Sequence, residues 1–515
     1  MIAELAKSQP SALALTDGTR SRSWRELQDR VARWARLLRE TLGLAPDDHA
    51  ALLIGNRVEG VEGILAAIHA GVWMTPVNWH LTAEEIAYVV RDSTARVLFV
   101  DPAFAETARS ALALARDAEP NLRLPLVIAL GDELDRALAS ASDAPMPLAG
   151  PAGGNMIYTS GTTGRPKGVM RKRAGTLGAA IAAQQAYARS IQCDGSGAHL
   201  VTGPLYHAAP LMYAIYDNSL GAPIHVLPRW EERDALRWIV EREIHHTHLV
   251  PTMFVRLLKR LTSEERAAFR PPALHTVLHG AAPVSEAVKR RMIEWWGPIL
   301  YEYWGGTEGG VTTFVDPRDW LAHPGSVGRA LPHFEVFAIG EGGARLGPGE
   351  RGPLYAKHAT QTALFEYHGD PDKTARAFLD PHTHTLGDVG HVDAEGWVFL
   401  SDRAANMIIS GGVNIYPAEV EAVIQEHPAV ADAAVFGIPD DEWGEQVKGA
   451  VELRPGFAPS DALTADILAF CRAKLAGYKV PRSLDFEGEL PRTATGKLYV
   501  RRLRDKYWAG RERAI

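Results

Sequence analysis

Helical and strand periods alternate along the chain to about residue 380, and this alternation limits the fold more than any other feature. Residues 24–42, WRELQDRVARWARLLRETL, set Leu27, Val31, Trp34, Leu37 and Leu38 at helical spacing. The apolar run HAALLIGN, 49–56, ends in Gly-Asn and predicts a buried strand and a turn. Residues 62–78, EGILAAIHAGVWMTPVN, predict a helix, a glycine stop and an extended segment. Residues 84–101, EEIAYVVRDSTARVLFVD, repeat helix and strand. Short apolar strands between helices predict an α/β layered domain with mostly buried strands. Residues 133–153, rich in Ala, Ser, Pro and Gly, predict a surface connection.

The texture changes at GWVFLSDRAANMIISGG, 396–412, which reads as strand, polar turn, strand. After Pro417 comes a segment with its own helices, PAEVEAVIQEHP and ALTADILAFCRAKLAG, and strands, AVADAAVFGIP and KGAVELR. A length of 515 residues predicts two or three domains. The boundary is placed at Asp402-Arg403, giving domains 1–402 and 403–515.

A net charge of -7 gives no general attraction to nucleic acid or to an anionic membrane. Two distant cysteines, Cys193 and Cys471, exclude a disulfide framework and suit a reducing cytoplasm. No apolar run is long enough to predict a membrane span.

One loop is too polar and flexible for core: YTSGTTGRPKGV, Tyr158 to Val169. Its glycines, serine and threonines offer donors to phosphate oxygens, and Lys167 adds a point charge. The Walker pattern fails, because Pro166 precedes the lysine and Gly168 follows it. Four further motifs accompany the loop. LHGAAPVS, 278–285, follows a strand end with small residues suited to a flat base. YEYWGGTEGG, 301–310, supplies an aromatic face, a hydroxyl and a hard oxygen ligand for Mg²⁺. LGDVG, 386–390, carries Asp388. SDRAANMIISGGVNIYPAEVE, 401–421, precedes PRTATGK, 491–497.

In this order, over nearly the whole chain, these segments resemble the adenylate-forming superfamily in its acyl-CoA synthetase branch. The resemblance implies a large multi-sheet N-terminal domain and a small mobile α+β C-terminal domain. It implies ATP, Mg²⁺ and CoA. Thr159, Ser160, Gly161, Thr162, Thr163, Gly164 and Lys167 would cradle phosphates. Trp304 and Gly305, with Gly280, Ala281, Ala282 and Pro283, would hold adenine. Thr307 would touch the α-phosphate, Glu308 would bind Mg²⁺, and Asp388 and Arg403 would hold the ribose. Lys497, on the small domain, would join the α-phosphate to the incoming carboxylate. Gly411 and Gly412 would line a pantetheine tunnel after that domain rotates. Two positions depart from the family pattern: Ala405 replaces a charged hinge residue, and Leu386 replaces a threonine.

PLYHAAP, 204–210, corresponds to the border of the acyl pocket. His207, Ala208, Met212 and Val250 are the candidate substrate residues, and Gly221 adds room. The absence of an acid in YHAAPLMY disfavours an amino-acid substrate. HHTHLVPTMF, 245–254, invites a metal reading, but only His246 and His248 share a strand face, and wall of the acyl pocket is the better expectation for residues 250–254. DWLAHPGSVGRAL, 319–331, is similar to the bacterial fatty-acyl and steroid or bile acyl-CoA ligase branch. The expected partners are a small carboxylic acid, ATP and CoA, with neither nucleic acid nor an integral membrane segment. A homodimer is compatible with the family. The expected activity is ATP-dependent acyl-CoA ligation of a medium- or long-chain fatty or other apolar acid. The alternatives are transfer to a carrier protein, and an aryl or steroid acid as substrate.

Overall fold

Helix Trp24–Arg36 starts at a Ser23–Glu26 capping box and buries Leu27, Val31 and Trp34 on one face. It packs near helix Val58–Ala70, which is buried almost throughout. Glu59 and Glu62 survive inside because arginines reach them: Arg20 and Arg57 pair with Glu59, Arg22 and Arg30 with Glu62. Gly71, at φ 77°, ends that helix in the left-handed region and turns the chain into strand Trp73–Pro76.

The protein was analysed as a computed structural model. It describes residues 2–509 except 160–165, 174, 283, 341, 404, 405, 411, 412, 441, 442 and 493–497, and only the backbone of 402, 403, 409, 413 and 414. Among the described residues there are three sheets. The first has seven strands, with His49–Leu53 between the parallel strands Trp73–Pro76 and Val97–Val100. Its far edge is antiparallel: strand Gly154–Thr159 pairs with Lys167–Arg171, which pairs with the late strand Phe365–Tyr367. The second sheet has fourteen strands. Its parallel part includes Ala198–Val201, Ile244–Leu249 and Thr276–His279. It continues into antiparallel strands that include Leu300–Gly306, Gly310–Val315, Thr383–Val392 and Trp397–Arg403.

The third sheet has five strands between Ile408 and Glu487. Strand period two divides its sides. Ala433 and Val435 face a core with helices Pro417–Gln425 and Asp461–Lys474, while Ala434 and Phe436 pack with Leu503 of helix Val500–Trp508. The chain passes from the large sheet to the small one after strand Trp397–Arg403. The large N-terminal and small C-terminal α/β architecture agrees with the sequence reading. The connection expected at 133–153 is shorter than that. Helix Asp132–Ala139 takes up its start, because Leu134 and Leu138, four apart, both bury in the first core. No helix of the described residues is long and apolar enough to cross a membrane.

Candidate active site

Strand Leu300–Gly306 turns at Thr307–Gly309 and returns as Gly310–Val315, with Gly306 opposite Gly310. A Cβ on Gly305 would lie 2.0 Å from the Gly310 carbonyl oxygen, so only glycine permits this close hairpin. The turn presents Thr307 and Glu308 to a deep cleft that Trp304 and Gly305 also line. Trp304 is packed with Val327, Leu354 and Val398, and Leu386 joins that apolar cluster. The residue that departs from the family pattern thus fills space beside the indole.

Trp304 Nε1 donates to Asp388 Oδ2 at 2.7 Å. Asp388 stands opposite Arg403 in the strand register. The two residues expected at a ribose are therefore neighbours, and one of them is tied to the residue expected at the base. On the other side, strand Thr276–His279 ends in Gly280, where a Cβ would meet the Tyr303 carbonyl oxygen at 2.7 Å. Ala281 follows at φ 66°, a left-handed conformation that costs a non-glycine residue about 1–3 kcal/mol. Ala281 and Ala282 line the cleft, and Gly280 is not part of its wall.

Thr159 and Lys167 are register partners at the base of the loop. Lys167 Nζ lies 3.8 Å from both Asp92 and Asp370. Asp92 is held in turn by Tyr158, whose hydroxyl donates to it at 2.7 Å. Glu308 Oε1 accepts from the Tyr367 hydroxyl at 3.0 Å. The Lys373 ammonium sits 4.1 Å above the Tyr367 ring. Burial lowers the Lys373 pKa and Lys167 adds to this, against the pull of Glu308 and Asp370. Two ammonium groups, Lys167 and Lys373, and three carboxylates, Asp92, Glu308 and Asp370, thus line the part of the cleft where phosphates are expected. Sequence reasoning missed Tyr367, Asp370 and Lys373. Their signal was FEYHGDPDKTARAF, 365–378, where Asp370 caps helix Pro371–Arg376 and Thr374 Oγ1 accepts from the Tyr367 N–H at 2.9 Å.

No group of three metal-ligating side chains occurs among the described residues. One carboxylate with an open approach suits Mg²⁺ that takes its other ligands from phosphates and water. Glu308 fits that role.

His207 stands at the N-cap position of helix Ala208–Leu220, with no side-chain bond to the helix end, and lines the cleft with Ala208, Met212 and Val250. Two expectations need correction. Gly221 ends that helix at φ 112° and does not line the cleft, and Phe254 is buried in a separate core. The histidine run hydrogen-bonds within the fold, and His248 also lines the cleft. His246 Nδ1 lies 3.2 Å from Asp217, and His199 Nδ1 lies 2.7 Å from it. Burial raises the Asp217 carboxyl, but hydrogen bonds with the two imidazoles outweigh it, and its pKa is about 2. His248 Nε2 lies 3.0 Å from the Tyr303 hydroxyl.

From the small domain, Arg492 and Leu498 form an isolated bridge and line the same cleft. Ser160, Gly161, Thr162, Thr163, Gly164, Pro283, Ala405, Gly411, Gly412 and Lys497 lie outside the described residues, as does the Arg403 side chain.

A cleft of this kind, on this fold, defines an adenylate-forming ligase. The chain belongs to the AMP-binding enzyme family. The family profile matches residues 2–364, and that of the AMP-binding enzyme C-terminal domain matches 419–497. A fatty acid–[acyl-carrier-protein] ligase, ScoC, of Streptomyces coeruleorubidus is 31% identical over 99% of this chain and 96% of its own. A feruloyl-CoA synthase of an Amycolatopsis species is 34% identical over 98% and 97%. The crystal structure of ATP-bound MatB from Rhodopseudomonas palustris superposes with a TM-score of 0.84 at 27% identity, covering 98% of each chain.

Proposed function

We propose that the protein is an ATP-dependent acyl-CoA ligase. The observation that carries this reading is one cleft gathering Thr159, Lys167, Trp304, Thr307, Glu308 and Asp388 with His207, Met212 and Val250. In the first half-reaction an oxygen of the carboxylate attacks the α-phosphorus of ATP, and the bond to pyrophosphate breaks. Charge accumulates on phosphate oxygens, so the protein's task is to place donors and cations. Lys167 leaves its carboxylate partners for the β- and γ-phosphates, with Thr159 through Gly164 around them. Lys373 stands near enough to share that charge. Thr307 meets the α-phosphate, Trp304 the adenine, and Asp388 with Arg403 the ribose. Glu308 would hold Mg²⁺, which neutralises phosphate charge when bound.

In the second half-reaction the thiol sulfur of CoA attacks the acyl carbon, its proton is lost, and AMP leaves. Domain 403–515 serves both steps by turning. Lys497 faces the cleft in the first, and Gly411 and Gly412 line the thiol's approach in the second. The pocket beside His207 and Val250 receives the acid.

The test is a mass-spectrometric product screen of the purified protein with Mg-ATP, CoA and fatty, aryl and steroid-side-chain acids. Acyl-CoA from one acid class supports the reading. Acyl-AMP without acyl-CoA would instead assign the acyl group to a carrier protein, and no product from any acid would remove the ligase reading.

A further inference from the structure

A cation lines the cleft on the side of the proposed acid pocket: Arg171 joins Tyr187, Tyr216 and Met212 there. Arg171 ends strand Lys167–Arg171, is half-buried and lines the cleft. Its guanidinium faces the hydroxyls of Tyr187 and Tyr216, and its central carbon stands 6.0 Å from the Tyr187 ring centroid. The same group is pressed over Gly310, where a Cβ would fall 2.8 Å from Nη2 of Arg171 and 2.9 Å from the Tyr187 hydroxyl. Tyr187 is fixed from the other side, because its hydroxyl accepts from the Val311 N–H at 2.7 Å.

Some half-buried arginines in this protein meet carboxylates, as Arg22 and Arg30 reach Glu62 and Arg57 reaches Asp101, while Arg39 and Arg266 donate to backbone carbonyls away from the cleft. Among the described residues the groups acting on Arg171 are phenols. Burial pushes both phenols up, so they remain neutral at physiological pH. The surrounding wall adds Met212, Tyr213, His248, Tyr303 and His333. Burial pushes His248 down to about 3, so it is neutral as well. A desolvated guanidinium with neutral neighbours favours an anion brought from outside, and its planar fork matches a carboxylate.

The hairpin keeps Gly310, over which Arg171 lies, close to Thr307. Gly310 lies three residues beyond Thr307, which bounds their separation at roughly 11 Å by chain reach alone. The return of the strand beside Gly306 shortens it further.

We propose that the pocket selects a compact acid with a second, distal carboxylate, held by Arg171 between Tyr187 and Tyr216 while the first carboxylate is activated beside Thr307. The assignment rests on the ligase reading above and narrows its substrate class. It replaces a long alkyl tail by a short or aryl spacer between two carboxylates.

The experiment compares acids that share a skeleton with and without the second carboxylate: hexanoate with adipate, octanoate with suberate, 3-phenylpropanoate with 3-(2-carboxyphenyl)propanoate. Pyrophosphate release and thioester formation are followed separately, with kcat and KM resolved, in the wild type, Arg171→Gln and Arg171→Lys. The wild type should favour the dicarboxylate in at least one pair by tenfold or more. Arg171→Gln should lower the dicarboxylate-to-monocarboxylate ratio of kcat/KM by roughly 10- to 100-fold, mainly through KM, and Arg171→Lys should restore part of it. A wild type that prefers the methyl-ended acid in every pair overturns the proposal, as does an equal loss on both acids in Arg171→Gln. If that variant does not fold, the wild-type preference still decides. Dicarboxylate-dependent pyrophosphate release without thioester would sink the CoA reading and leave this one standing. Thioester from monocarboxylates alone would do the reverse, and silence from every acid removes both.

Discussion

Trp304 joins the cleft wall to a hydrogen bond with Asp388. It is largely buried yet lines the cleft where a base is expected, and its Nε1 donates to Asp388 at 2.7 Å. Phenylalanine would keep an aromatic face and lose the donor. Trp304→Phe should therefore raise the KM for ATP by roughly 10- to 100-fold, the loss of one hydrogen bond to a charged group, with a smaller change in the KM for the acid. Steady-state kinetics with each substrate varied checks this, and an unchanged KM for ATP would show that Asp388 needs no such anchor. The motif around Trp304 was legible because GGTEGG is a contiguous run. The hydrogen bond was not, because its partners are 84 residues apart and meet only through the sheet register. Arg171 was missed for a similar reason: nothing next to it in sequence reveals that Tyr187, Tyr216 and Gly310 converge on it.

Helix Glu286–Trp296 is fastened to strand Leu300–Gly306 by a buried ion pair. Lys289 Nζ lies 2.6 Å from Glu302 Oε2, and the ammonium also lies 4.4 Å from the Trp320 ring centroid. Burial pushes Lys289 down and Glu302 up, and their mutual attraction opposes both shifts. Lys289→Met leaves Glu302 buried without an ammonium partner, a change that costs about 3–5 kcal/mol. The double variant Lys289→Met/Glu302→Gln should recover much of this, because it leaves no uncompensated charge. Urea unfolding of the three proteins measures the difference, and a single variant as stable as wild type contradicts the pairing. At this scale the early helices followed from apolar period, and the structure adds the Ser23 and Thr82 capping boxes that start Trp24–Arg36 and Ala83–Asp92. Helix Asp132–Ala139 was obscured by its Ala- and Ser-rich surroundings, where only Leu134 and Leu138 mark the buried face.

Across the whole molecule, several imidazoles are kept neutral by burial. His49, His69, His225 and His384 are pushed down from 6.5 to about 4, and His248 to about 3. The unfolded chain protonates these groups near pH 6.5, whereas the folded protein does not until about pH 4. Their neutral burial is tolerated fully above pH 6.5, and stability falls as pH drops from there toward 4, by up to about 1.4 kcal/mol per pH unit for each group. The unfolding temperature should decline steeply between pH 6.5 and 4.5, and a flat profile in thermal melts over that range would contradict the burial of these rings. The proposed domain rotation predicts a different split. Lys497→Ala should abolish acyl-AMP formation and retain thioester formation from supplied acyl-AMP, while Gly411→Leu should do the opposite. Equal loss of both half-reactions in both variants would falsify the two-orientation reading. The order of domains was legible from the change in texture after residue 396. The company of Lys167 was not, because Asp92 and Asp370 arrive from distant segments.

That distance has a consequence for how the chain is made. Strand Lys167–Arg171 receives its outer neighbour only from Phe365–Tyr367, almost two hundred residues later. At roughly 5–20 residues per second the ribosome needs about 10–40 s to supply that neighbour. During this interval the edge beside the loop is open, and Tyr367, Asp370 and Lys373 do not yet exist. A nascent chain can lay down its first parallel strands early but completes the wall of its cleft late, because Tyr367, Asp370 and Lys373 follow almost two hundred residues behind Lys167.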